Sequence, residues 1–211
     1  MIKNIIFDFD GVLVDSEILV AKAMKKYLAG RKIKFEKKEF SKFAGKKTFQ
    51  VISELSLLFK IPDKESFFND IMTLTDDLFS SDLEVVFGLN HFLQNTNHNR
   101  FIGSNSGKAR IIRGLKKAGI DNYFNEDSIS SFDIVKKPKP EPDIYLRLID
   151  IAHLEKNETI IIEDSAIGIQ AGVSTGVKVI GLTAGKHWYK NRSDQELLDA
   201  GAYAVVKNYE D

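Results

Sequence analysis

The stretch Ile5-Ile6-Phe7-Asp8-Phe9-Asp10-Gly11 decides which fold the sequence predicts. Its three successive apolar residues are typical of a parallel strand that is covered on both faces. Two aspartates follow at alternate positions, so we expect Asp8 and Asp10 to lie on the same side of the strand end. Carboxylates this close repel each other, and a bound divalent cation would relieve the repulsion. Carboxylate and backbone carbonyl oxygens are suitable ligands for Mg²⁺.

The same pair of acids predicts a chemistry. One carboxylate can attack phosphorus as a nucleophile. The other can protonate the leaving oxygen and later activate a water molecule. The ordinary alternative is a strand that ends in a turn with two solvated acids.

Further along the chain, other short apolar runs predict more strands of the same sheet. They are Phe101-Ile102, Ile160 to Ile162, Val177 to Leu182 and a weaker run from Tyr203 to Val206. Apolar residues at helical spacing separate them, around Ile111 to Ala118 and Ile144 to Ala152. Strands that alternate with helices predict an α/β fold with a doubly wound, mainly parallel sheet. In such folds ligands bind beyond the carboxyl ends of the strands.

A block of predicted helices interrupts this alternation after the first strand. The helices are predicted at Glu17 to Ala29, Thr48 to Phe59 and Lys64 to Leu78, with a short one near Phe35 to Phe43. We expect residues 16–82 to form an all-helical cap that is inserted into the core. Residues 1–15 and 83–211 are then expected to form the α/β core.

Three more motifs follow predicted strands or precede predicted helices. In Gly103-Ser104-Asn105-Ser106-Gly107, the Ser104 hydroxyl and the N–H groups of the next helix can bind phosphate. In the segment from Lys136 to Asp143, prolines fix a lysine, either Lys137 or Lys139, whose ammonium can neutralise a carboxylate and a phosphoryl group.

The last motif, Glu163-Asp164-Ser165, places Asp164 to complete a metal site with Asp8 and the Asp10 carbonyl. Helix capping and a solvated basic loop are the ordinary alternatives for the three motifs taken one at a time. Their joint occurrence in this order favours a single shared site.

These motifs resemble those of the haloacid-dehalogenase superfamily, in the subfamily with a helical cap after the first motif, which includes phosphoglycolate phosphatases and β-phosphoglucomutases. The matching segments are Phe7 to Glu17, Ser104-Asn105, Lys139 to Leu146, and Glu163 to Gly172. The resemblance spans the whole chain. It implies a Rossmann-like core and a Mg²⁺ cofactor.

The resemblance also implies roles for individual residues. Asp8 would be the nucleophile, Asp10 the acid and base, and Lys139 the charge stabiliser, preferred to Lys137 because only Lys139 gives the family's spacing of lysine, prolines and aspartate. Ser104, Asn105 and Gly11 would bind the substrate. The metal ligands would be Asp8, Asp10, Glu163 and Asp164. An acid at position 10 favours phosphoryl transfer over attack on carbon–halogen bonds.

Residues outside the core motifs give weaker indications of a functional role. The cap loop Phe43-Ala44-Gly45-Lys46-Lys47 places Lys46 and Lys47 where they could bind a distal anionic group of a substrate. A solvated basic surface is the alternative. His187 follows a late strand at the correct end of the sheet, although a lone exposed histidine is the more ordinary expectation.

Composition sets limits on partners. Lys+Arg and Asp+Glu number 30 each, so no net charge favours nucleic acid or membrane partners. There is no cysteine, which excludes disulfides and a cysteine nucleophile and fits a reducing cytoplasm. No apolar run is long enough to span a bilayer. We expect a cytoplasmic monomer or small homo-oligomer whose partner is a small phosphorylated metabolite.

The sequence therefore predicts a Mg²⁺-dependent phosphatase that hydrolyses a sugar phosphate or a phosphoglycolate-like acid through an aspartyl-phosphate on Asp8. A sugar-phosphate mutase of the same subfamily is an alternative, although the first cap helix lacks the histidine, and the cap loop the arginine, of such mutases. A receiver-like phosphoacceptor domain is a third possibility. It needs no helical insertion and carries its acceptor aspartate on a later strand.

Overall fold

The computed structural model describes residues 1–34, 48–188 and 192–210, and its centre is a single six-stranded sheet. The strands are β1 (Asn4–Phe7), β2 (Asn99–Ser104), β3 (Ile129–Ser131), β4 (Thr159–Glu163), β5 (Lys178–Leu182) and β6 (Ala204–Val206). They lie in the order β3-β2-β1-β4-β5-β6, and each neighbouring pair is parallel. The predicted parallel α/β sheet is confirmed.

Eight α-helices connect or flank the strands in the described part of the chain. They are α1 (Glu17–Gly30), α2 (Thr48–Leu58), α3 (Lys64–Asp82), α4 (Leu89–Asn95), α5 (Lys108–Ala118), α6 (Asp143–Ile151), α7 (Ala166–Val173) and α8 (Gln195–Asp199). Within residues 1–34, 48–188 and 192–210, none of these helices has the length and apolar character needed to cross a membrane.

Helices cover both faces of the sheet. Ile5 and Phe7 of β1 pack in one hydrophobic cluster with Ile111 of α5, whereas Ile6 packs in a second cluster with Ile144 of α6. Because side chains of a strand alternate between its faces, the two clusters lie on opposite sides of the sheet. Burial on both faces explains why β1 is apolar at successive positions.

Helices α1, α2 and α3 lie between β1 and the rest of the sheet in the chain, and they share a third hydrophobic cluster of their own. This cluster supports the view that residues 16–82 form a separate cap, which stays a proposal. Helix α3 continues beyond the predicted Leu78 because its buried residues extend to Phe79 at helical spacing. The short helix expected near Phe35 to Phe43 lies outside the described residues.

The sequence did not predict β3 and α4. Strand β3 has only one apolar residue, Ile129, followed by two serines that are nevertheless fully buried. Helix α4 has seven residues and begins after Gly88, which adopts a left-handed backbone conformation, φ 83°. Neither element has the periodic apolar pattern from which a strand or a helix can be predicted.

The register of the sheet positions the site. Phe7 of β1 lies beside Ile102 of β2 on one side and beside Ile162 of β4 on the other. The residues that follow therefore emerge at the same carboxyl edge of the sheet. This edge brings together Asp8, Ser104 and Glu163.

Candidate active site

Three buried carboxylates meet at the carboxyl ends of β1 and β4. One oxygen of each of Asp8, Glu163 and Asp164 lies within 4.8 Å of the others. Asp8 is held in line with the sheet because its N–H donates to the Ile162 carbonyl at 2.9 Å. The cluster consists of the oxygen donors that Mg²⁺ prefers, so its chemistry fits a divalent cation.

The electrostatics of this cluster leave it short of positive charge. Burial raises the pKa of Asp8 well above its ordinary value; the Lys139 ammonium opposes the rise, and Glu163 and Asp164 add to it. Burial and the Glu163 carboxylate likewise raise the pKa of Asp164. Lys139 and Arg192 offset these shifts only in part, and a divalent cation would supply further positive charge.

Lys139 is the cation inside the site. Its Nζ lies 2.6 Å from Asp8 Oδ1 and 2.7 Å from Glu163 Oε1. Burial alone would lower the pKa of Lys139, but these two carboxylates outweigh it and hold the pKa above its ordinary value. The rival Lys137 is exposed at the surface. The structure therefore places Lys139, as the motif spacing indicated, beside the proposed nucleophile.

Asn105 fixes the main chain of Lys139 from both sides. Its Oδ1 accepts a hydrogen bond from the Lys139 N–H at 2.9 Å, and its Nδ2 donates to the Lys139 carbonyl at 3.2 Å. The contacts that the structure shows for Asn105 thus position the lysine. Substrate binding by Asn105 stays a prediction.

Glu163 is the most completely hydrogen-bonded acid of the cluster. Oε1 accepts from Lys139 and, at 2.9 Å, from the Tyr145 hydroxyl. Oε2 accepts from the N–H groups of Asp164 and Ser165 and from the Ser165 hydroxyl. A Cβ at Gly168 would lie 1.7 Å from Oε1, so only glycine leaves room for this carboxylate.

Gly11 leaves the space that the Asp164 carboxylate occupies. It has φ 82°, a conformation that favours glycine, and a Cβ there would lie 1.9 Å from Asp164 Oδ2. Its missing side chain therefore lets the Asp164 carboxylate pack directly on the loop that follows β1. The role of Gly11 in substrate binding stays a prediction.

Three side-chain donors surround Asp10. The hydroxyls of Ser16 and Ser106 donate to its two oxygens, and Arg110 Nη2 lies 3.5 Å from its Oδ1. The Ser104 hydroxyl is buried and accepts from the Ser106 N–H at 3.0 Å. Ser106 was visible in the second motif, but nothing local in the sequence pointed to Arg110.

His187 proves to be part of the site, so the expectation of a lone exposed histidine is wrong. Its Nε2 lies 3.0 Å from Asp164 Oδ2, and 13% of its side chain is exposed. Burial lowers the pKa of His187 to about 4, although Glu17 opposes the shift. The His187 imidazole therefore lies within hydrogen-bonding distance of the Asp164 carboxyl group. Lys46 and Lys47 lie outside the described residues.

Comparison with known proteins gives this arrangement a context. Residues 5–182 match the family model described as haloacid dehalogenase-like hydrolase. The chain is 26% identical to 6-phosphogluconate phosphatase of Escherichia coli over 88% of this chain and 85% of that protein. It is 25% identical to the phosphorylated carbohydrates phosphatase of Thermotoga maritima, over 97% of this chain and 94% of that one.

A solved structure is similar along the full length. It is a conserved haloacid dehalogenase-like protein of unknown function from Agrobacterium tumefaciens, with a TM-score of 0.86 and 31% sequence identity. The similarity covers 100% of this chain and 96% of that one. Fold and family therefore agree between the sequence comparison and the structural one.

Proposed function

The chain belongs to the haloacid dehalogenase-like hydrolases, and from this membership we propose that it is a Mg²⁺-dependent phosphatase that hydrolyses small phosphate monoesters through an aspartyl-phosphate on Asp8. The observation that carries the proposal is the buried Asp8 carboxylate, which lies 2.6 Å from Lys139 Nζ at the carboxyl ends of the central strands. The names of both curated relatives support a phosphoric monoester hydrolase that acts on phosphorylated sugars or sugar acids.

In the first proposed step, a carboxylate oxygen of Asp8 attacks the phosphorus atom of the ester. A bond forms between that oxygen and phosphorus while the bond to the leaving alkoxide breaks. Protonated Asp10 gives its proton to the alkoxide, which departs as an alcohol. Ser104 donates its hydroxyl to a phosphoryl oxygen, and the Lys139 ammonium stabilises the negative charge that develops.

In the second proposed step, Asp10 acts as a base. Its carboxylate takes a proton from a water molecule, whose oxygen attacks the phosphorus of the aspartyl-phosphate. The bond between phosphorus and the Asp8 oxygen breaks, which restores the Asp8 carboxylate and releases inorganic phosphate. The proton gained by Asp10 prepares it for the next substrate.

The residues that would hold the cation are the side chains of Asp8 and Asp164 and the main-chain carbonyl of Asp10. A bound Mg²⁺ supplies positive charge against the phosphoryl oxygens. Glu163, which the sequence also suggested as a ligand, has both oxygens engaged in hydrogen bonds. We therefore assign Glu163 to holding Lys139, and His187 to holding Asp164.

Removal of the metal should abolish activity. With a panel of phosphate monoesters, we expect EDTA to stop the release of inorganic phosphate and added Mg²⁺ to restore it. Asp164→Asn should raise the Mg²⁺ concentration needed for half-maximal rate by more than roughly tenfold, because even the outer partners of metal ligands are typically worth 10–100-fold in affinity.

Asp150→Asn is a suitable control for this experiment, since Asp150 is an exposed acid on α6. Its Mg²⁺ dependence should match that of the unmodified protein. Full activity in rigorously metal-free buffer would refute the metal assignment. Formation of an isomeric phosphate without release of inorganic phosphate would instead favour the mutase alternative.

A further inference from the structure

Arg110 places a rigid positive charge beside the proposed acid Asp10. It lies on α5, after the second motif, and its Nη2 is 3.5 Å from Asp10 Oδ1. The centre of its guanidinium group lies 3.8 Å from the centroid of the Phe79 ring on α3. Such stacking fixes the plane of the guanidinium group without using its N–H donors.

The Phe79 ring is itself fixed by close packing. A Cβ at Gly114 on α5 would lie 2.8 Å from the Phe79 ring and 2.5 Å from the ring of Phe9. Phe9 is buried, and in the sequence it stands between Asp8 and Asp10. The Arg110 guanidinium group is therefore held at a defined position relative to Asp8.

Arg110 also keeps capacity for a ligand. Its side chain is 32% exposed, compared with 20% for Asp10. A guanidinium group has five N–H donors. Across the described parts of the chain, the one hydrogen bond that it makes is the long contact with Asp10. A guanidinium group that is stacked on a ring, partly exposed and has most of its N–H donors unused is suited to bind an anion.

The position of Asp10 decides which part of a substrate Arg110 would meet. Asp10 must reach the oxygen of the leaving group to protonate it. Groups that contact Asp10 on its exposed side therefore surround the leaving alcohol rather than the transferred phosphoryl group. The Ser16 and Ser106 hydroxyls already donate to Asp10, whereas the partly exposed Arg110 side chain offers a positive charge there.

We propose that Arg110 binds an anionic group of the leaving alcohol, so that preferred substrates are phosphate monoesters that carry a carboxylate or a second phosphate near the ester. The proposal rests on the phosphatase function proposed above, whose leaving group it describes. It assigns to Arg110 a role in specificity.

Two matched substrate pairs test the proposal. The carboxylate pair is 3-phosphoglycerate and glycerol 3-phosphate, and the second-phosphate pair is the bisphosphate and the monophosphate of propanediol. We expect Arg110→Gln to lower kcat/KM by roughly 10- to 100-fold for the member that carries the additional carboxylate or phosphate, because a charge-assisted hydrogen bond is worth that much. The loss of kcat/KM for the member without that additional group should stay below about threefold. The pair with the larger loss identifies the anion.

Arg113→Gln is the matched control. Arg113 also lies over the Phe79 ring, with 5.4 Å between the guanidinium centre and the ring centroid, but it pairs with the exposed Asp76. It should change neither member of a pair. Equal losses on both members in Arg110→Gln would overturn the proposal, because Arg110 would then act through Asp10. No loss on either member would overturn it as well.

A binding measurement keeps this proposal separate from the phosphatase function. Calorimetry with Mg²⁺ would compare 3-phosphoglycerate and glycerol 3-phosphate on Asp8→Asn and on the double variant Asp8→Asn with Arg110→Gln. We expect Asp8→Asn to prefer the acid by about tenfold or more and the double variant to lose that preference. Equal affinities on Asp8→Asn would overturn the role of Arg110. Absence of turnover on every ester, including p-nitrophenyl phosphate, would refute the phosphatase function only.

Discussion

Asp8→Asn should abolish turnover while the protein stays folded. The amide has nearly the same shape as the carboxylate, and Lys139 keeps its contact with Glu163 at 2.7 Å. The amide cannot form the bond to phosphorus, so we expect kcat to fall by at least about 10⁴-fold, as is typical for loss of a catalytic nucleophile. Steady-state hydrolysis and circular dichroism measure the two parts of this result.

Asp150→Asn makes the same chemical change on an exposed acid and should leave kcat unaltered. Acid quenching of the unmodified protein during turnover should yield a phosphorylated peptide that contains Asp8, and Asp8→Asn should yield none. Substantial turnover by Asp8→Asn on a good substrate would mean that another group attacks phosphorus.

Lys139→Met should damage both stability and catalysis. It leaves Asp8 and Glu163 buried without the ammonium that now lies within 2.7 Å of each. Removal of one partner of a buried ion pair costs about 3–5 kcal/mol in the free energy of unfolding. We also expect kcat to fall by about 10²–10³-fold, the usual effect of losing one group that stabilises transition-state charge. Urea unfolding and steady-state kinetics measure these effects.

The exposed Lys137, two residues earlier, is the control. Lys137→Met should change the free energy of unfolding by less than about 0.5 kcal/mol, as surface substitutions do. Adding Glu163→Gln to Lys139→Met should recover part of the stability, because one unpaired buried charge is then removed. If Lys139→Met is as stable and active as the unmodified protein, the central role of this lysine is refuted.

The sequence predicts the core of the site because its signals are local. Successive apolar residues before Asp8 and before Glu163 mark strands that are buried on both faces, and parallel strands end at a common edge. That rule is enough to bring Asp8, Ser104 and Asp164 together. The position of Lys139 is predictable because the prolines around it make the segment rigid.

What the sequence could not predict depends on contacts between distant segments. Arg110 reaches Asp10 across 100 positions, and Tyr145 reaches Glu163 from a different element. His187 follows β5, and nothing in its immediate neighbours shows that it will pack against Asp164. Packing in three dimensions, rather than local pattern, selects these partners.

Two glycines form a second class of features that the sequence could not predict. Gly11 and Gly168 look like turn and helix residues in the sequence, but each is required because a carboxylate occupies the space of a side chain. The position of that carboxylate is known only once the fold is known. The physical reason for these two glycines is therefore visible in the structure alone.

The stereochemical course at phosphorus is the most direct test of the proposed covalent mechanism. A phosphate monoester made chiral with three oxygen isotopes would be hydrolysed with Mg²⁺ in the presence of an acceptor alcohol, and the configuration of the transferred phosphoryl group analysed. Attack by Asp8 followed by attack of the acceptor gives two inversions, so we expect retention of configuration. Inversion would show a single direct displacement and would contradict the aspartyl-phosphate mechanism.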